Sequence, residues 1–209
     1  MQKTIPYSFF SKNLSRERLS RYLIASNGDE KVAIEFYEKN LFVSQALHPL
    51  VGTLEVVLRN NIHREVSRFL KNDNWLFETD HPSVKLLLEQ NRNQGIHTTI
   101  NMLIAGLPFS FWTTMFERKT FLKYNGRPIK IFNKLPAGIN RKTIKIKLTA
   151  IRHLRNRISH NEPICFEGQR FTLKKAERIF EETMTIFEWI DPIFVVWLKK
   201  FTKSAHLFY

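Results

Sequence analysis

The amino-acid sequence predicts an all-helical protein organised as one helical bundle, and three observations carry that expectation. Seven glycines and eight prolines among 209 residues amount to about 7 per cent, well under the roughly 12 per cent of average usage. Apolar residues recur at the helical 3.6-residue spacing rather than in strand-like alternation over several successive segments. The chain is 43% apolar, with 18 Phe and 4 Trp, which is enough to build a core and excludes disorder.

Ser15 to Ser26 reads as a short helix with Leu19, Tyr22 and Leu23 on one side, stopped at Asn27-Gly28. A second helix starts near Asp29, an N-cap candidate, with Glu30 suiting the positive helix end. Its apolar positions Val32, Ala33, Phe36, Tyr37, Leu41 and Val43 keep helical spacing, and His48-Pro49 is expected to break or kink it. A third helix then runs from about Pro49 to Leu70. Asn72 to Asn74 reads as a loop, and Thr79 to Pro82 as a helix start with a proline in the first turn. The helical pattern weakens from Asn91 to Gly95 and returns from Ile100 to Ile104. Gly106 and Pro108 precede Phe109-Ser-Phe-Trp112, where Phe111, Trp112, Met115 and Phe116 are expected in the core. Residues 124–140 carry Asn125-Gly126, Pro128, Pro136 and Gly138, predicting a loop excursion with a short strand at Ile129–Phe132. The next helix spans about Arg141 to Asn161 and ends before Pro163. Phe166 to Phe171 is a connector, and two helices, Thr172 to Ile190 and Pro192 to Thr202, close the chain.

Thirty-three Lys and Arg against 19 Asp and Glu give a net charge of +14. Thirteen of the basic residues, and no acidic one, lie between Arg118 and Asn161, so nearly all the excess sits in 44 residues. Such a window attracts polyanions: nucleic acid first, an acidic protein partner second, with a merely basic surface as the plain alternative. The single cysteine, Cys165, excludes an internal disulfide and a cysteine zinc cluster, which fits a reducing cytosol. The N-terminus lacks the apolar stretch of a signal peptide. The longest apolar run, Ile193 to Leu198, is six residues against the roughly 20 of a membrane span. A cytoplasmic chain with no membrane partner is expected. No metal-binding histidine spacing, P-loop or dinucleotide glycine pattern appears, so no metal and no cofactor is predicted.

On the basic helix, Ile144, Leu148, Ile151, Leu154 and Ile158 fall in one apolar sector at 100° per residue. Lys145, Thr149, Arg152, Asn156 and His160 form a polar stripe beside it. Arg155 falls inside the apolar sector, where a guanidinium needs partners. Either it pairs with a core carboxylate, Glu55 being the candidate, or it faces a cleft and grips phosphate in bidentate fashion. His160 is either a helix-end residue near the last carbonyls or, with Arg155 and Asn156, part of a metal-free RNA-cleaving group. Histidine titrates near neutral pH and can move the protons, while arginine supplies fixed charge at the phosphate.

Leu154-Arg-Asn-Arg-Ile-Ser-His160, followed by Asn161-Glu-Pro-Ile164, resembles the R-x(4–6)-H motif of HEPN ribonucleases, and in detail their Abi-like, abortive-infection branch. Leu54-Glu-Val-Val-Leu-Arg-Asn-Asn-Ile62, Phe109-Ser-Phe-Trp112 and Trp189-Ile-Asp-Pro192 match the same family in the same order, over about residues 29 to 200. One departure is Asn161, where the family often has a second histidine. The resemblance implies residues 1–28 as an N-terminal extension with a short helix, and 29–209 as a HEPN-like helical domain. It implies a homodimer whose two motifs face a shared cleft, cutting RNA without metal to leave a 2′,3′-cyclic phosphate and a 5′-hydroxyl. Arg155 and His160 would be catalytic with Asn156, and Glu55, Arg59 and Asn60 would support them. Arg141, Lys142, Lys145, Lys147, Arg152 and Arg157 are the basic residues expected to bind RNA. The expected role is a growth-arresting toxin in phage defence, with an antitoxin or regulatory RNA as a further partner. The alternatives are a non-catalytic RNA-binding module and an adaptor for an acidic protein. His63, too close to Arg59 for the motif, reads as ordinary.

Overall fold

A computed structural model describes residues 5–200. The chain is all-α, as the sequence predicts, with about 70% of it helical. In order come α1 (Tyr7–Leu14), α2 (Arg16–Ala25), α3 (Glu30–Leu70), α4 (Pro82–Asn93), α5 (Ile100–Gly106), α6 (Phe109–Thr114) and α7 (Arg118–Lys123). A 3-10 turn (Arg127–Ile131), α8 (Arg141–Ser159), a hairpin of β1 (Phe166–Glu167) and β2 (Arg170–Phe171), α9 (Lys174–Ile190) and α10 (Pro192–Leu198) complete it. The expected extension of the last helix to Thr202 lies outside the described residues.

The axis of the fold is α3, 41 residues long. Asp29 caps it, accepting a hydrogen bond from the Val32 amide at 3.0 Å. It buries Val43, Leu47, Leu50, Leu54, Leu58, Ile62 and Val66 along one side, and α8, α9, α6, α5 and the 3-10 turn pack around it. The sequence predicted a break or a kink at His48-Pro49, and the helix does not break: Pro49 sits inside one continuous helix. Gln45, whose carbonyl loses its donor to the proline, is exposed, as is Pro49, so water can take up that oxygen and the usual cost of a mid-helix proline falls. By length and composition α3 could cross a membrane, with a stretch of mean hydropathy 1.5. The longest uninterrupted apolar run did not reveal this, because isolated polar residues divide the helix. Its neighbours are those of a core helix.

The strand expected at Ile129–Phe132 is instead the 3-10 turn. Gly126, at φ +72°, admits the chain, and Pro128 stands at the first turn. Three residues per turn then align Pro128 and Ile131, both buried, on one side. Phe111, Trp112, Met115 and Phe116 are all core.

A smaller second core joins the N-terminus to the rest. Leu19 and Tyr22 of α2 are buried against Ala33 and Tyr37 of α3 and Phe166 of the hairpin. Tyr22 meets Tyr37 and Phe166 edge-on at 5.5 and 5.3 Å, and Phe36 stacks on Phe171 at 4.2 Å. Between the two cores lies Asn40, 2% exposed, whose Oδ1 accepts from the Ile164 and Cys165 amides at 2.7 and 3.2 Å. Burial pushes the neighbouring Cys165 thiol up to about 12, which makes it unreactive.

Two histidines are held neutral by burial. His63 Nδ1 accepts from the Trp75 indole at 3.1 Å, and His81 Nδ1 caps α4 by accepting from the Ser83 amide at 3.1 Å. Desolvation lowers both below the ordinary 6.5, although Asp73 opposes the shift at His63. Protonation would also remove both acceptors.

Asn40→Ala strands two buried N–H groups, each worth about 1–3 kcal/mol. A loss of about 3 kcal/mol and a Tm drop of about 6–12 °C are expected in a thermal melt. For the two histidines, the unfolded chain takes up protons that the folded chain refuses. Their stabilisation is therefore complete above pH 6.5 and declines as pH falls below it. Denaturant melts from pH 8 to 5 should show this decline, and His63→Gln should reduce it.

Candidate functional site

The candidate site lies at the C-terminal end of α8. Asn140 starts this helix by accepting from the Lys142 and Thr143 amides at 2.9 and 3.2 Å. The apolar sector of Ile144, Leu148, Ile151, Leu154 and Ile158 is fully buried, as the spacing predicts. The end is a defined turn: the Asn161 amide bonds Ile158 O at 3.0 Å and the Glu162 amide bonds Arg157 O at 2.8 Å. This pairing requires a left-handed residue at Asn161, whose φ is +52°, and Asn tolerates that conformation better than most residues. Backbone geometry thus accounts for asparagine directly after His160.

The turn is also held from outside. Arg18 of α2 donates from Nη1 to the Asn161 carbonyl at 2.7 Å, and Asn40 fixes Ile164 and Cys165 just beyond. Sequence reading did not select either residue. Asn40 carried a readable signal, as one polar side chain among the buried-face positions Ala33, Tyr37, Val43 and Leu47. Arg18 carried none, since its partner is 143 positions away.

Arg155 crosses the seam to α3 and places Nη2 3.0 Å from Glu55 Oε2. The pair proposed from the sequence is therefore formed. Glu55 is 13% exposed and Arg155 36%, so the guanidinium is at the edge of the apolar sector rather than sealed within it. Asn156 and His160 are exposed, and the His160 amide donates to Asn156 O at 3.1 Å. Arg155 leans toward α3, whereas Asn156 opens on a groove beside α9.

Arg59 and Asn60 turn to other neighbours. Arg59 donates from Nη1 to Ala105 O of α5 at 3.1 Å, and Asn60 lines a separate recess with His63, Arg64 and Asn101. Of the three supporting residues, Glu55 is the one that meets Arg155.

The basic window is less one-sided in space than in sequence, because the fold brings carboxylates to it from outside. Arg155 meets Glu55, Lys145 meets Glu117 at 3.2 Å, Lys147 meets Glu182 at 3.6 Å, Arg157 meets Glu162 at 3.4 Å and Arg127 meets Glu65 at 3.7 Å. Arg141 donates to Phe116 O at 2.6 Å, so part of its role is to tie α8 to the end of α6. Lys142 is exposed and Arg152 half-buried, its Nε without a hydrogen-bond partner among the described residues. Among the described residues, five of the thirteen window cations thus form ion pairs, Lys119 and Lys123 act on Asp80 from a distance, and the rest carry the local field. Among the described residues, no three His, Cys, Asp or Glu side chains are grouped to hold a metal ion.

Compared with models of known protein families, with curated proteins and with solved structures, the chain matches none.

Proposed function

We propose that this chain is a metal-independent endoribonuclease of the Abi-like HEPN type, acting as a homodimer and serving as a growth-arresting toxin in phage defence. The observation that carries the reading is the end of α8, where a half-exposed arginine is oriented by Glu55 beside an exposed asparagine and histidine. Glu55 contacts one guanidinium nitrogen, and arginine has five donors, so Arg155 retains donors for a phosphodiester. His160 supplies the titratable group, as base toward the 2′-hydroxyl or as acid toward the departing 5′-oxygen. Asn156 adds a neutral hydrogen-bonding group on the same helix. The ordered sequence resemblance and the net charge of +14 support the same reading.

One chain offers one such histidine, and cleavage by 2′-hydroxyl attack needs both a base and an acid. A twofold dimer supplies the second. Leu41, Phe42 and Val56 stay exposed on α3, with Val56 next to Glu55, and give such a dimer apolar area to bury. A monomer by sedimentation at micromolar concentration, still cleaving RNA, would remove this part of the proposal.

The experiment is an RNA cleavage assay in excess EDTA with three proteins. His160→Ala should fold like the wild type and lose roughly 10²-fold or more in rate. Arg155→Ala should abolish cleavage and also destabilise by about 2 kcal/mol, between the roughly 0–1 of exposed pairs and the 3–5 of buried ones. Full activity of His160→Ala would refute the mechanism. Arg155 would then be a structural tie between α3 and α8, which its 3.0 Å contact with Glu55 also fits, and the non-catalytic RNA-binding reading would replace this one.

A further inference from the structure

On the other side of Asn156 from Arg155, α8 and α9 enclose a groove of about 650 Å³, within the range of small-ligand sites. Its polar lining is His153, Asn156, Arg157, Glu162, Lys175 and Arg178, and Leu154 and Ile179 contribute apolar wall. Three full cations therefore face one carboxylate. That carboxylate is already engaged, since Glu162 Oε2 lies 3.4 Å from Arg157 Nε. The contact lacks hydrogen-bond geometry, and among the described residues this buried Nε has no hydrogen-bond partner.

Lys175 and Arg178 differ from Lys147, the cation of α8 that a carboxylate of α9 neutralises. Farther along, Lys147 of α8 is matched by Glu182 of α9 at 3.6 Å. Among the described residues no carboxylate stands within 4.0 Å of Lys175 or Arg178. Two unmatched cations lining the groove with a third, beside the apolar Leu154 and Ile179, form a site for an anion with several oxygens. Asn156 lines the groove, and its carbonyl accepts from the His160 amide at 3.1 Å, which sets His160 one turn beyond it.

We propose that the α8–α9 groove binds the phosphodiester backbone of single-stranded RNA, gripping the phosphates next to the one that is cut. This rests on the ribonuclease reading and extends it. Arg157 and Arg178 take phosphate oxygens in forked pairs, Lys175 adds a point charge, and the strand then passes over Asn156 toward His160. The groove positions the strand, and its cations take no part in the bond-breaking step.

The test uses a fluorescent RNA oligonucleotide with 2′-O-methyl groups, which lacks the attacking hydroxyl. Its binding is followed by anisotropy over a series of salt concentrations. Lys175→Glu/Arg178→Glu is compared with Lys31→Glu/Arg92→Glu, an equal change of charge at exposed sites on α3 and α4. The groove variant should bind at least tenfold more weakly, with a salt slope lower by about 1.4 for two lost single-strand contacts. On cleavable RNA its KM should rise while kcat is kept. The control should shift affinity far less. Equal loss in both variants, or an unchanged slope, overturns the groove assignment while leaving cleavage by the wild type, and so the ribonuclease reading, standing. If the wild type neither binds nor cleaves RNA, both fall together.

Discussion

A helix of 41 residues must bury one side over about 60 Å, and that requirement organises this molecule. While α4 packs on α5 and α10 on α9, most of the other elements are placed by what they cover on α3. The apolar sector of α8 covers its middle, α9 and the 3-10 turn flank it, and α2 with the hairpin covers its first turns. The seam between α3 and α8 then determines which polar groups can meet. Glu55 and Arg155 face each other because they lie at the edge of that seam, where a partly hydrated ion pair costs less than one sealed in the core.

The same arrangement explains how a helix end can hold functional groups still. Helix termini fray unless their free carbonyls are satisfied. Here the left-handed Asn161 turn satisfies them, Arg18 grips that turn, and Asn40 anchors the chain just beyond. His160 is therefore exposed but mounted on a backbone fixed from both cores. The N-terminal helices, which the sequence suggests are an appendage, take part in this fixing through Arg18 and through Arg21, which donates to Gly168 O at 2.7 Å.

Periodicity made the helices legible, and helical geometry singled out Arg155 as a residue needing a partner, with Glu55 as the candidate and a phosphate in a cleft as the alternative. Three features were hidden for identifiable reasons. Pro49 reads as a breaker because its cost is judged without knowing that its side of α3 faces water. Ile129–Phe132 reads as a strand because β-branched and aromatic residues suit one, while the three-residue alignment of Pro128 with Ile131 shows only against α3. The basic window reads as uncompensated because Glu55, Glu65 and Glu182 approach it through the fold. Conversely, the unmatched cations on α9 escaped notice because Glu177, Glu181 and Glu182 are interspersed with them in sequence.

The proposed chemistry is cleavage of RNA at the end of α8 by protein groups alone. Analysis of product termini addresses it most directly, with the wild-type protein incubated with total RNA in excess EDTA. Cleavage through the 2′-hydroxyl leaves a 2′,3′-cyclic phosphate and a 5′-hydroxyl, and that is the result expected here. Fragments ending in 3′-hydroxyl and 5′-phosphate, or intact RNA at saturating protein, would contradict the account.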